Sequence, residues 1–171
     1  MNGKTIGLTV VGTLAVLAIG GAAFIGSGIY DIGADDHHTK IALTIIEQLR
    51  ERSIAARSSS IEAHFVEDPV RIAAGAQHYS VLCVGCHLAP GVTKSDVRRG
   101  LYPHPPNLAQ EEPQQAQRAF WVIKHGIKMS AMPAWGMTLD DAAIWDTVAF
   151  IRKMPDMTPE TYQHLSQEPG K

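Results

Sequence analysis

The sequence predicts an all-α domain that follows a single membrane-spanning helix. The first thirty residues contain a long uncharged run. Several later segments repeat apolar residues at three- and four-residue spacing, which indicates helices with one buried face. No segment shows the alternation typical of a strand, and no internal repeat is visible. We divide the 171 residues into an anchor at 1–30, an amphipathic helix and linker at 31–66, a compact domain at 67–158 and a polar tail at 159–171.

The run from Thr5 to Tyr30 contains no charged residue and consists mostly of Ile, Leu, Val, Ala and Gly. As a helix, roughly 25 residues span about 37 Å, more than the roughly 30 Å of a hydrocarbon core. A cleaved signal peptide is the alternative, but its apolar segment is usually about 7–15 residues long. Lys4 precedes the run and three aspartates follow it closely. The positive-inside rule therefore places the amino terminus in the cytoplasm and the rest of the chain outside, with the lipid bilayer around residues 5–30.

The segment from His37 to Arg57 predicts an amphipathic helix. Its apolar residues recur at helical spacing, and charged residues occupy the other side; the apolar positions are Ile41, Ile45, Ile46 and Leu49. Two interpretations stay open. The helix either docks on a neighbouring membrane subunit, or it rests on its own domain or on the lipid surface.

The compact domain begins at Asp68-Pro69, an N-cap residue followed by a proline at the first helical position. Its helices are expected from Pro69 to the first cysteine, from Pro113 to His125, and from about Thr138 to Met154. The Pro- and Gly-rich stretch at 88–112 is expected to form a loop, and the tail from Pro159 onwards is expected to be loose.

Charge excludes one class of partner. Lys and Arg total 15 against 17 Asp and Glu, a formal charge of −2. The chain has no excess of basic residues of the kind that binds nucleic acid. It also has no acidic block of the kind that forms a disordered tail.

The segment CVGCH contains the only two cysteines of the chain, Cys83 and Cys86, and His87 follows them directly. A disulfide or thiol-redox site needs only the cysteines and normally lies in a βαβ pattern, which this sequence lacks. A zinc site needs four ligands, and His104 and His125 do not form the second pair that such sites usually have. A purely structural role leaves the adjacent histidine unexplained. Covalent attachment of one haem c explains all three residues, because C-x-x-C-H is the recognised attachment sequence.

A haem with one histidine ligand requires a second axial ligand. The candidates are Met129, Met132, Met137, His104 and His125. Met132 is favoured because a proline follows it directly and fixes the chain there. A thioether is a weak ligand, so a rigid loop helps by lowering the entropy cost of holding it.

With CVGCH, HPPNL at 104–108 and KMSAMPAWG at 128–136, residues 68 to about 155 resemble the class I cytochromes c. The resemblance is closest to small membrane-anchored bacterial proteins with a single haem. It implies an all-α fold of about three to four helices around one covalent haem, in which the first and last helices cross. The residues expected at that crossing are Gly75 and Tyr79 on the first helix and Trp145 and Phe150 on the last.

The resemblance also implies roles for individual residues. The carbonyl of Pro106 would accept a hydrogen bond from Nδ1 of His87, which fixes the imidazole tautomer. Leu108 would pack against the haem, and Trp121 and Trp135 would line its pocket. The basic residues Arg98, Arg99 and Lys128 would either contact the propionates or lie on the solvated surface. The expected cofactor-binding residues are therefore Cys83, Cys86, His87, Pro106, Leu108, Trp121, Met132 and Trp135, with His87 and Met132 as iron ligands.

Iron with six protein and porphyrin ligands has no vacant position for a substrate, which predicts a one-electron carrier and not an enzyme. Haem c is attached outside the cytoplasmic membrane of bacteria, the side on which the anchor places Cys83. We therefore expect a single-pass inner-membrane protein whose haem domain faces the periplasm. Its partners would be membrane-bound or periplasmic redox proteins, in a dehydrogenase or respiratory complex, with no nucleic acid and no small-molecule substrate. The alternatives are a haem enzyme or gas sensor with a labile sixth ligand, and a subunit with a structural role.

Overall fold

The computed structural model describes residues 2–64, 68–113 and 115–167. Within these ranges the regular elements are helical, apart from one isolated bridge between Ala89 and Val92. The predicted all-α class with an N-terminal apolar helix is confirmed. The chain separates into two compact units, Met1–Asp36 and His37–Lys171.

The helices follow one another in a simple order. They are α1 (Gly3–Ser27), α2 (Lys40–Ser58), α3 (Pro69–Leu82), α4 (Val84–His87), α5 (Asp96–Arg99), α6 (Ala116–His125), α7 (Asp141–Lys153) and α8 (Pro159–Ser166), with short 3-10 turns at Trp135–Met137 and Met154–Asp156.

The first unit is dominated by α1, a helix of 25 residues none of which is buried. It ends where Gly28 adopts a left-handed conformation (φ 63°), which glycine adopts without steric cost. Its length and composition are compatible with a single membrane span, and a signal sequence near an N-terminus has the same properties.

The core of the second unit lies where α3 crosses α7. Gly75 of α3 contacts α7 so closely that a Cβ atom there would overlap the carbonyl oxygen of Asp146 and lie 2.9 Å from Cβ of Phe150. Beside this contact, the ring of Tyr79 lies 5.3 Å from that of Phe150. The predicted crossing is therefore present around three of its four residues. Trp145, the fourth, stacks on Phe120 of α6, with ring centroids 4.3 Å apart.

Helix α2 is capped by the hydroxyl of Thr39, which accepts from the N–H of Ala42, so the helix begins three residues later than predicted. One of its faces lies on α6. Ile54 and Ser58 are the buried residues of α2, and Glu51 forms an ion pair with Arg118 of α6. Of the two interpretations of this segment, contact with its own domain therefore describes one face of the helix.

The expectation of a loose tail is wrong for the described residues after 158. Pro159–Ser166 forms α8, with the hydroxyl of Thr158 accepting from the N–H of Thr161 at its start. Tyr162 is buried, and its ring lies 6.1 Å from that of Phe150. Tyr162 and Leu165 pack α8 against the hydrophobic core, so the compact part of the chain extends beyond residue 158.

Two other boundaries differ from the sequence prediction. The second domain helix begins at Ala116 and not at Pro113, and residue 114 lies outside the described part. The expected loop at 88–112 contains the short helix α5, whose start is capped by the hydroxyl of Ser95. The last domain helix is as predicted to within three residues, with the carboxylate of Asp140 accepting from the N–H of Ala143.

Candidate haem site

The CVGCH segment forms a single helical turn directly after α3. The carbonyl oxygen of Cys83 accepts from the N–H of Cys86 at 3.0 Å and from that of His87 at 2.9 Å. Both thiols are free and half-buried. Burial, and secondarily the neighbouring Cys86, raises the pKa of Cys83 to about 12. The turn therefore holds two thiols and an imidazole in one rigid unit.

His87 is fixed by the segment that carries Pro106. Nδ1 of His87 lies 3.0 Å from the carbonyl oxygen of Pro106. A carbonyl can only accept, so Nδ1 carries the proton and Nε2 keeps the lone pair that ligates a metal. Burial lowers the pKa of His87, which favours the neutral imidazole. The N–H of Leu108 donates to the carbonyl oxygen of His87 at 3.2 Å and forms a second link between the two segments.

Arg98 joins the same two segments from α5. Its guanidinium donates to the carbonyl oxygen of Cys86 at 3.0 Å and to that of Pro105. The hydroxyl of Ser95 donates to the carbonyl oxygen of Gly85. Sequence reasoning considered Arg98 only as a propionate or surface residue and did not consider Ser95. Because their partners are backbone carbonyls, no side-chain motif marks these contacts.

Tyr79 ties α3 to the residue that follows the turn. Its hydroxyl donates to the carbonyl oxygen of Leu88 at 2.5 Å, and its ring is fully buried. Leu88 itself adopts a positive φ of 61°, which turns the chain away from the helix axis. This contact was also missed, because the sequence prediction assigned Tyr79 only to the helix crossing.

The three methionines near 132 differ clearly in their environments. Met132 is half-buried and packs against the hydrophobic core. Met129 is fully exposed and adopts a positive φ of 56°, and Met137 is 86 % exposed. Of the three, Met132 is thus the one whose thioether side chain is held by the core.

Gly126 brings the Met132 loop close to the end of α6. A Cβ atom on Gly126 would lie 2.7 Å from the carbonyl oxygen of Met132 and from the carbonyl carbon of Pro133. The N–H of Ile127 donates to that same carbonyl of Met132 at 3.1 Å. A Cβ atom added to Gly136 would likewise lie 2.8 Å from the carbonyl oxygen of Lys124. Gly136 is required for space, and Gly126 for both space and conformation.

The remaining candidates divide between core and surface. Leu108 and Trp135 are half-buried and pack against the core. Trp121 is half-buried, with its ring 5.0 Å from that of exposed His125. His104 is exposed, and its Nδ1 lies 3.2 Å from the carbonyl oxygen of Arg98.

The residues present fit a covalently held haem better than the alternatives. Cys83, Leu108, Met132 and Trp135 come from three separate segments, and all pack against one hydrophobic core. The imidazole of His87 is held by its bond to a carbonyl, which leaves Nε2 with a lone pair that could ligate a metal. Among residues 2–64, 68–113 and 115–167, no three His, Cys, Asp or Glu side chains are grouped to hold a metal ion, so the zinc interpretation has no ligand set there.

Comparison with protein families gives a match, which lies in the compact part of the chain. Residues 70–151 match the family described as cytochrome C oxidase, cbb3-type, subunit III. This match covers just under half of the chain and supports a c-type cytochrome domain there, as the resemblance implied. Such a domain transfers electrons by means of a haem. Comparison with curated proteins and with solved structures found no match.

Proposed function

We propose that this chain is a membrane-tethered one-electron carrier with a single haem c, attached through Cys83 and Cys86 and ligated by His87 and Met132. The observation that carries the proposal is the arrangement of the CVGCH turn, in which both thiols lie beside an imidazole whose Nδ1 is bonded to Pro106 at 3.0 Å. A haem supplies an iron that gains or loses one electron. The tasks left to the protein are holding, orienting and enclosing that group.

Each residue of the site has a separate task in this proposal. The two thiols provide the covalent attachment. The carbonyl of Pro106 keeps the His87 ring in one tautomer and makes Nε2 a stronger donor. Leu108, Trp121 and Trp135 provide apolar surface that excludes water from the pocket. Both this exclusion of water and the thioether ligand raise the reduction potential of the haem.

The partners follow from the tether. With α1 as a single-pass anchor, the cytochrome domain stays at a membrane surface, and the charge pattern around α1 favours the periplasmic side. We infer that the electron donor and acceptor are membrane-bound or periplasmic redox proteins. A place as the cytochrome subunit of a dehydrogenase or respiratory complex is supported by the family match, whose description names an oxidase subunit.

The second candidate is a haem enzyme or gas sensor with a labile sixth ligand, and Met132 distinguishes it from a carrier. Met132→Ala in the haem-loaded protein should remove the weak long-wavelength absorption of a thioether-ligated ferric haem. It should also lower the reduction potential and let the ferrous protein bind carbon monoxide, because the ligand is lost. Visible spectra with and without carbon monoxide, together with a redox titration, measure these changes.

Met129→Ala is the matched control. Its side chain is fully exposed, so all three properties should stay close to those of the unaltered protein. If the two variants behave the other way round, Met129 is the ligand and the loop differs from the one described. If the unaltered protein already binds carbon monoxide readily, the carrier proposal gives way to the enzyme or sensor.

A further inference from the structure

Helix α2 presents a row of large aliphatic side chains to solvent. Ile41, Ile45 and Leu49 follow one another at four-residue spacing and are 75 %, 62 % and 70 % exposed. Ile46, beside the row, is 47 % exposed. Residues four apart lie on one side of a helix, so these side chains form one continuous strip, which we call the α2 strip.

The α2 strip is not the face by which α2 packs on its own domain. The opposite side of the helix carries Ile54, which is 5 % exposed, and contacts α6, to which it is joined by the ion pair between Glu51 and Arg118. Rotating α2 to bury the strip would expose Ile54 and break that ion pair. The strip therefore faces away from the domain that carries it.

The size of the strip indicates what covers it. Four partly exposed aliphatic side chains amount to a few hundred Å² at most, well below the roughly 800 Å² that each partner contributes to a standard protein interface. An exposed apolar strip on a helix that also carries exposed charged residues is instead the pattern of helices that lie in the boundary between lipid headgroups and acyl chains.

The charges of α2 fit the same partner. Lys40, Arg52 and Arg57 are exposed, and the helix contains four basic and two acidic residues in all. A net positive helix surface is attracted to anionic lipid headgroups, which adds to the burial of the strip.

Chain connectivity keeps the strip within reach of a bilayer. Residues 28–39 separate α1 from α2, and twelve residues reach at most about 40 Å when extended. With α1 in a membrane, this tether gives α2 a high effective concentration at the lipid surface.

We propose that α2 is an interfacial helix, and that Ile41, Ile45 and Leu49 insert into the headgroup–acyl boundary of the bilayer that α1 spans. The proposal rests on the membrane anchor of the proposed function. It adds that the cytochrome domain is held against the membrane by a second contact, through α6 and the Glu51–Arg118 ion pair. The domain would then keep one orientation to the lipid surface and would not swing freely on its linker.

The test uses full-length haem-loaded protein in vesicles of zwitterionic lipid with a fraction of anionic lipid. Ile45→Cys carries a nitroxide spin label, and Val81→Cys, which replaces an 80 % exposed apolar residue of α3, is the matched control. In the haem-loaded protein the two native thiols are consumed, so only the introduced cysteine reacts. We expect the label at 45 to collide at least several-fold more with membrane-soluble oxygen than with a water-soluble nickel chelate, and the label at 81 to show the reverse.

Three outcomes would overturn the inference. If the nickel chelate has preferential access to position 45, or if the two positions behave alike, α2 does not insert into the lipid. Protection at 45 in native membranes but not in pure lipid vesicles would show a protein partner instead of lipid. High-salt washing of the same vesicles tests the anchor separately. Protein that stays bound while the label at 45 remains in water refutes the α2 contact alone, whereas protein that washes off refutes both.

Discussion

Gly126 is the residue on which the geometry of the Met132 loop most directly depends. It ends α6 with φ 65° and ψ −169°, a conformation that is essentially restricted to glycine. Its missing Cβ also leaves room for the loop, since an added methyl group would lie within 2.8 Å of three backbone atoms of residues 132–134. Gly126→Ala should therefore disturb the loop, although Gly126 is not among the proposed haem-binding residues.

The magnitude follows from two costs. Forcing alanine into this conformation costs about 1–3 kcal/mol. Relief of the overlap requires the loop to move by several tenths of an ångström. This movement would weaken or break the 3.1 Å hydrogen bond from the N–H of Ile127 to the carbonyl oxygen of Met132, which contributes about 1 kcal/mol. We expect the free energy of unfolding to fall by about 2–4 kcal/mol, together with partial or complete loss of the thioether absorption.

Denaturant unfolding and the visible spectrum of the ferric protein measure the two effects together. Gly100→Ala is the control, because φ at Gly100 is −90° and the nearest atom to an added Cβ is 3.8 Å away. If the free energy of unfolding of Gly126→Ala is within about 0.5 kcal/mol of that of the unaltered protein and the thioether absorption is intact, the role of Gly126 is refuted. Loss of stability with the absorption unchanged would instead show that the iron ligand does not depend on this contact.

Two further predictions concern the CVGCH turn. Cys83→Ala or Cys86→Ala should leave at most one thioether link and much less haem-loaded protein, whereas mass spectrometry of the denatured, unaltered chain should show one haem still attached. A denatured chain without haem would contradict the covalent site. Arg98→Gln should lower the free energy of unfolding by about 2–3 kcal/mol, because charged donors to two backbone carbonyls are lost. The adjacent, exposed Arg99→Gln should change it by less than about 0.5 kcal/mol in the same denaturant titration, and equal effects would show that the Arg98 contacts contribute nothing.

Local signals in the sequence were sufficient for the elements that depend on neighbouring residues. Asp68-Pro69 predicts the start of α3, where the carboxylate of Asp68 accepts from the N–H of Val70 at 2.9 Å. The start of α8 carries the same kind of signal in Thr158 and Pro159, but the polar composition of the tail obscured it. What holds α8 in place is the burial of Tyr162, a long-range contact that periodicity over eight residues cannot show.

Contacts between distant segments were predictable only where a family motif specified them. The bond between His87 and Pro106 was expected from the resemblance, and the structure contains it at 3.0 Å. The contacts of Arg98 were not expected, since a guanidinium that donates to carbonyl oxygens is compatible with almost any sequence at the accepting positions. The same holds for the close approach at Gly126, which depends on where the loop returns.

Helix α7 contributes none of the proposed haem-binding residues, yet both halves of the candidate site depend on its position. The half with the CVGCH turn is joined to α7 through α3, by the contact at Gly75 and by an ion pair between Arg71 and Asp146 at 2.6 Å. The half with the Met132 loop is joined to α7 through α6, by the stack of Phe120 on Trp145. The position of Met132 relative to His87 is therefore set by two packed contacts on one buried helix. The proposed carrier would benefit from this arrangement, because a closely packed interior resists movement of His87 and Met132 when the charge on a bound iron changes.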